Sequence, residues 1–321
     1  MLVLSESANL VKGEKMDKRL ANTPMYKWGW GSEFEENWFG ETTESWSSER
    51  VWENLDRGEL PYSVHRTRAM DLQKIGAKPT RGAENVVVDG CANSGLSGPV
   101  ELGPYFQLLD VLGVAYNLLP IRYCCGWSIL GRAIPDERDD AVSKVKNLAE
   151  RNIEEARKLG AKHVYQFCEM CAALAQYADI RDTEMTIGYG LDILTEPLKK
   201  VKTLKVVEPA RVGYYRGCLG FLKAMNPNFS FDFDTYRSWL DRIEGLEVMD
   251  LPNNICCQAS PKGRSEVVKI AKDNKLDYIV TPCLDCRNNL DSAGQKALFV
   301  STLLLEAVTG KPTTAWSASM V

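Results

Sequence analysis

The stretches Asn85-Val86-Val87-Val88-Asp89-Gly90-Cys91 and Val212-Gly213-Tyr214-Tyr215-Arg216-Gly217-Cys218 share one design. Each is a short apolar run closed by Gly-Cys, which reads as a buried strand ending at a cysteine. Working outward, an adjacent pair follows each lone cysteine: Cys124-Cys125 after the first and Cys256-Cys257 after the second. A Cys-x-x-Cys comes next in both, Cys168 and Cys171, then Cys283 and Cys286. The 10 cysteines of the chain are thereby used up in two sets of five, in one order. The spacing predicts a duplicated fold with one metal site in each half.

The segments between the cysteines support an α/β class. In the first half, helices are expected over 99–112 and 135–159, with strands over 114–119 and 162–167. The longer helix carries Val142, Val145, Ala149, Ile153 and Ala156 at steps of three and four, which defines one buried face. Pro135 suits its first turn, acidic residues follow at its positive end, and Gly160 stops it. In the second half, strands are expected over 212–215, 247–251 and 278–281. Helices are expected over 234–246, from a Ser265 cap through Val267, Val268, Ile270 and Ala271, and over 296–309. Cysteines therefore sit where strands end, and the carboxyl ends of parallel strands are where α/β proteins bind ligands. Neither histidine joins them: His65 lies upstream of the core, and His163 opens a strand, where a structural role is expected.

The 321 residues suffice for two domains. The expected division is an irregular, aromatic-rich extension over 1–82, a first cysteine-rich domain over 83–205 and a second over 206–321. The extension holds Trp28, Trp30, Trp38, Trp46 and Trp52, and is expected to lie across a partner subunit, since tryptophan concentrates at contact centres. A formal net charge of -4 provides no basic face for nucleic acid. The longest apolar stretch, Ala297 to Val308, is broken by Ser301, Thr302 and Glu306 and falls short of the ~20 residues that span a bilayer. The N-terminus begins without a basic segment ahead of its short apolar run, so a cytoplasmic protein is expected. In a reducing compartment, thiols at these spacings read as metal ligands rather than disulfides.

Several metals compete for five sulfurs. Tetrahedral zinc uses four ligands and would leave one idle. Ordinary cubane iron–sulfur clusters also take four, often from a compact run that this chain lacks. Metal-free redox thiols would not account for the duplication. Five thiolates, two of them adjacent, suit a larger or more open iron–sulfur assembly, in which one sulfur bridges irons while its neighbour binds terminally.

The two C…CC…C-x-x-C sets resemble the cysteine-rich CCG domain family, in the paired, two-motif arrangement of heterodisulfide-reductase-like proteins. The resemblance covers about residues 85 to 310. It implies two pseudo-symmetric Rossmann-like halves with short parallel sheets. It implies one noncubane [4Fe-4S] cluster on Cys91, Cys124, Cys125, Cys168 and Cys171 and a second on Cys218, Cys256, Cys257, Cys283 and Cys286. Between them a disulfide, or a sulfur-bearing thiol, would be interconverted with free thiols. The partners implied are a small iron–sulfur subunit and a flavoprotein subunit of a larger complex. Gln258 after the second pair, where the family has glycine, and the long aromatic extension depart from the pattern. The alternative is a non-catalytic electron-transfer or docking subunit of a respiratory dehydrogenase, of succinate, glycerol-phosphate or lactate/glycolate type, with zinc in one site.

Overall fold

The computed structural model describes residues 72–90, 98–132, 136, 138–181, 184–217, 231–252, 257 and 260–312. The tryptophan-rich extension up to residue 71, together with Cys91, Cys218 and Cys256, lies outside the described residues.

Two four-stranded parallel sheets form the frame, and both have the same strand order. The first half runs β1 (Asn85–Val88), α1 (Gly98–Val111), β2 (Asn117–Leu118), α2 (Trp127–Arg132), α3 (Arg138–Lys158), β3 (His163–Gln166), α4 (Glu169–Ala175), β4 (Thr186–Tyr189) and α5 (Thr195–Lys199). Its sheet is ordered β2-β1-β3-β4. The second half runs β5 (Leu204–Tyr214), α6 (Phe233–Asp241), β6 (Ile243–Asp250), α7 (Pro261–Asp273), β7 (Tyr278–Thr281), α8 (Leu284–Ser292), β8 (Ala297–Phe299) and α9 (Val300–Thr309), with its sheet ordered β6-β5-β7-β8. This is an α/β fold of two similar halves. In each, the chain reverses direction across the sheet between the strand that leads to the lone cysteine and the strand that leads to the Cys-x-x-Cys, and such a switch point leaves a crevice at the strand ends.

The apolar run of β1 is unbroken because both faces of the strand are covered. Val86 and Val88 face a small core with Ala149, Ile153 and Ala156 of α3, while Val87 faces a larger one. That larger core runs through both halves, taking in Leu102 and Phe106 of α1 and Leu303 and Leu304 of α9. Helices α1 and α9 pack on each other across the seam, and Phe167 meets Phe299 edge-on at 5.4 Å between centroids.

Several local expectations shift. Helix α7 starts at Pro261, capped by Ser260, whose hydroxyl accepts from Gly263 N at 3.1 Å; Ser265 lies inside the helix and bonds back to Pro261 O. The helix expected over 234–246 ends at Asp241, because residues from Ile243 onward pair with β5. The segment 297–299, expected as helix, is the edge strand β8, and only Val300–Thr309 is helical. Strand β5 starts at Leu204, ahead of the expected 212. The buried face of α3 is centred on Val145, Leu148, Ala149, Asn152, Ile153 and Ala156, with Val142 half-buried.

Candidate metal centre

In the first half, the loop carrying Cys124 and Cys125 is pinned by one side chain. Asn152, buried on α3, accepts from Tyr123 N at 2.9 Å and donates through Nδ2 to Tyr123 O at 3.1 Å. Gly126 then turns the chain into α2 with φ of +79°, and a Cβ there would stand 2.8 Å from Val145 Cγ2. Glycine is required on both counts. Its N–H donates to Cys124 Sγ at 3.4 Å. From the other side, β3 delivers Cys168 at the start of α4, which carries Cys171.

These four thiols touch in series: Cys124 contacts Cys125, Cys125 contacts Cys171, and Cys171 contacts Cys168. A narrow crevice of about 10 Å³, with room for no more than a water, lies beside them. Cys124, Cys125, Cys171, Val88, Asp89 and Arg122 are among its walls. Arg122, with only 4% of its side chain exposed, is 3.4 Å from Asp89, itself 6% exposed. Mutual hydrogen bonding and burial raise Cys125, Cys168 and Cys171 well above the ordinary thiol range, while the nearby Arg122 guanidinium pulls Cys171 the other way.

The second half gathers its described thiols in the same manner. Strand β7 delivers Cys283 to the start of α8, where its sulfur accepts from Cys286 N at 3.3 Å. Cys286 contacts both Cys283 and Cys257. Arg264 of α7 holds the Cys257 carbonyl at 3.3 Å and Asn289 Oδ1 at 3.0 Å. Gly217, with φ of +69°, lies so close that a Cβ would fall 2.8 Å from Cys286 Sγ. The hydrogen bond with Cys286 lowers Cys257, aided by hydrogen bonding from Tyr215 and by the charge of Arg264, against burial. For Cys283 the hydrogen bond to Cys286 also lowers, but burial and the Glu169 and Asp285 carboxyls outweigh it and push the thiol up to about 12.

The two Cys-x-x-Cys loops meet. Glu169, between Cys168 and Cys171, extends its carboxyl across the seam, where Oε1 accepts from Leu284 N at 2.9 Å, one residue past Cys283. Tyr189 at the end of β4 donates to Pro282 O at 2.6 Å from the same side. Burial, reinforced by Asp285, pushes the Glu169 carboxyl up to about 8. Neither Glu169, Arg122 nor Tyr215 is singled out by the cysteine spacing. Their positions beside each motif are the one signal that could have marked them.

The described cysteines, Cys124, Cys125, Cys168, Cys171, Cys257, Cys283 and Cys286, form no disulfide. Among the described residues, no group of three or more Cys, His, Asp or Glu side chains is arranged to hold a single metal ion. The donors fit an iron–sulfur assembly in kind. They are buried or half-buried soft thiols, strung in a line at strand ends, with glycine where a Cβ would strike a sulfur. His163 stands apart at the N-terminal end of β3, its Nδ1 2.8 Å from Thr186 Oγ1 of β4.

An α/β protein with a thiol set at the strand ends of each half is the class that the fold and site define. More particularly, residues 87–174 match the family model of the CCG cysteine-rich domain, a stretch that includes all five cysteines of the first set. Such a domain is consistent with an iron–sulfur redox protein of oxidoreductase type. No curated protein matches the chain. Among solved structures, the chain is similar to a hypothetical protein from Helicobacter pylori, at 13% identity and a TM-score of 0.48, over 78% of this chain and 55% of that one. It is also similar to the aspartate racemase of Picrophilus torridus, at 11% identity and a TM-score of 0.32, over 74% of this chain and 100% of that one. Likenesses this distant carry no argument about this chain. Among the described residues, no helix is long and apolar enough to cross a membrane.

Proposed function

We propose that the chain is the iron–sulfur subunit of a heterodisulfide-reductase-like complex, with one noncubane [4Fe-4S] cluster on each set of five cysteines. The observation that carries this reading is the contact between the two Cys-x-x-Cys loops, Glu169 Oε1 to Leu284 N at 2.9 Å. Two centres that share one substrate have to face each other, and this contact brings the two Cys-x-x-Cys loops together. The reaction consumes one disulfide bond, two electrons and two protons and yields two thiols, or runs in reverse. Bound clusters would supply the two one-electron centres and the irons that meet the substrate sulfurs. The protein's own part is to hold the sulfurs at the strand ends, bury them, and keep the two sets in register through the Glu169 and Tyr189 contacts. Electrons would come from a small iron–sulfur subunit backed by a flavoprotein subunit, in a reducing, cytoplasmic compartment where thiols persist unoxidised. The tryptophan-rich segment would be the surface that binds such partners.

Iron and acid-labile sulfide measured on anaerobically purified protein should come to about eight irons per chain, four for each of two clusters. Reduced viologen should then be oxidised by a suitable organic disulfide in stoichiometric amount. About four irons with one zinc would favour the electron-transfer alternative, and colourless, iron-free protein would overturn both.

A further inference from the structure

The two halves can be superposed in sequence by two independent registers, and both pair Val88 with Tyr215. Counting back from Gly90-Cys91 and from Gly217-Cys218, each residue stands two places before the glycine. Counting across the sheet, Val88 pairs with Gln166, two residues before Cys168. On the other sheet Tyr214 pairs with Val280, so Tyr215 falls opposite Thr281, two residues before Cys283. One position in the fold therefore faces the thiol set in both halves, and its occupants differ in size and chemistry.

In the first half, Val88 is a wall of the crevice beside Cys124, Cys125 and Cys171. In the second, the position holds a fully buried tyrosine whose ring lies against the glycine that touches the sulfurs. A Cβ on Gly217 would be 3.9 Å from Tyr215 Cε1 and 2.8 Å from Cys286 Sγ. The Tyr215 side chain hydrogen-bonds the sulfur of Cys257. A phenol O–H is a donor, and a metal-bound thiolate is an acceptor only, so the direction of that bond is fixed once the sulfur is ligated.

We infer that Tyr215 is a positioning and tuning residue of the second centre, whose O–H donates to Cys257 Sγ and raises that centre's reduction potential. The inference rests on the reading that both sets carry iron–sulfur clusters. A hydrogen bond to a ligating sulfur offsets negative charge and so favours the more negative, reduced state. Val88 offers no side-chain donor at this position, so the first centre, whose Cys124 Sγ accepts from Gly126 N, lacks this one contribution.

The test is an anaerobic redox titration followed by electron paramagnetic resonance, on wild type and on Tyr215→Phe, which keeps the ring and removes only the hydroxyl. The second centre's signal is identified as the one lost in Cys286→Ser. The expected result is a downward shift of that signal's midpoint in Tyr215→Phe, an unmoved first-centre midpoint, and unchanged iron content. An unmoved second-centre midpoint with iron retained overturns the inference while leaving the two-cluster reading intact. Should Tyr215→Phe fail to keep its iron, site-specific 3-fluorotyrosine at 215, a stronger donor of nearly equal shape, decides: an upward shift supports the inference and no shift overturns it. Wild-type protein without iron overturns the cluster reading and the inference together.

Discussion

Both halves bring a cysteine-bearing loop and a Cys-x-x-Cys helix start together at the ends of parallel strands, but they surround the sulfurs differently. The first half places a buried arginine, Arg122, beside its thiols and pairs it with Asp89, leaving a narrow crevice along Val88. The second places a half-buried arginine, Arg264, on the backbone of Cys257 itself, and fills the equivalent of Val88 with Tyr215. The repeated part is topology: strand order, the switch point, and glycine next to sulfur. The part that varies is the charge and the hydrogen bonding a sulfur meets. Two sites built on one topology thus surround their thiols with different charge and hydrogen bonding.

The largest expected effect separates the halves outright. Cys171→Ser removes the sulfur that joins Cys125 to Cys168, and should cost the first set its iron while the second keeps about four irons per chain. Cys257→Ser should do the converse, and circular dichroism should report an intact fold in both. Loss of all iron from either variant would show that the centres assemble as a unit, and unchanged iron in both would break the ligand assignment.

Next come the two glycines. At Gly126 an alanine would have to adopt φ of +79° and meet the Val145 side chain at 2.8 Å, on a rigid helix in the core. Strain and overpacking together should cost about 4 kcal/mol of stability, read by denaturant unfolding. Gly217→Ala shares the backbone strain, but its new methyl meets a sulfur rather than a core helix. It should lose less stability and more of the second set's iron. The reverse ranking would mean that Gly217 is placed for folding alone.

The cysteine spacing and the strand ends were legible in the sequence because they are local: Val86–Val88, His163–Gln166 and Tyr278–Thr281 each read as strands from a few residues. Edge strands were harder. Thr186–Tyr189 is four residues with a glycine inside, and Ala297–Phe299 merges into the apolar run of α9, where periodicity cannot separate strand from helix. The Ser260 cap was overshadowed by Ser265, although Pro261 at the first helical position marks the true start. The contacts of Glu169, Arg287 and Tyr189 across the seam join residues about a hundred positions apart or more. No local pattern encodes them.

At that seam the halves exchange contacts, and pH should reveal one of them. Glu101 of α1 lies 2.8 Å from Arg287 Nε and accepts from Thr302 Oγ1 at 3.3 Å, both in the second half. Burial outweighs the arginine and raises its carboxyl from 4.5 to about 7. The folded state then holds a proton that the unfolded chain has released between those values, so stability falls as pH rises from about 4.5 to 7. The span limits the loss to about 3 kcal/mol. Glu101→Gln should make that part of the stability–pH curve shallower, leaving the share that belongs to Glu169. An unchanged slope would assign it to the other carboxyls raised by burial, Glu169 and Asp192, the latter bonding the Tyr236 hydroxyl of the second half from the first.

The smallest effect distinguishes a contact that joins the halves from one that lies within a half. Tyr189 donates to Pro282 O at 2.6 Å across the seam, whereas Tyr105 donates to Gly190 O at 2.8 Å inside the first half. Both rings are fully buried, so Tyr189→Phe and Tyr105→Phe each strand one buried carbonyl, Tyr189→Phe also taking the hydroxyl away from Glu169 Oε1 at 3.3 Å, and each should cost about 1–2 kcal/mol. They should differ in what loosens. Amide hydrogen exchange in Tyr105→Phe should rise mainly in the first half, around β4 and α1. In Tyr189→Phe it should rise on both sides, at β4 and at the start of α8, because Pro282 directly precedes Cys283. If only β4 responds, the Glu169–Leu284 bond alone keeps the two Cys-x-x-Cys loops in register, and Tyr189 merely fills space beside it.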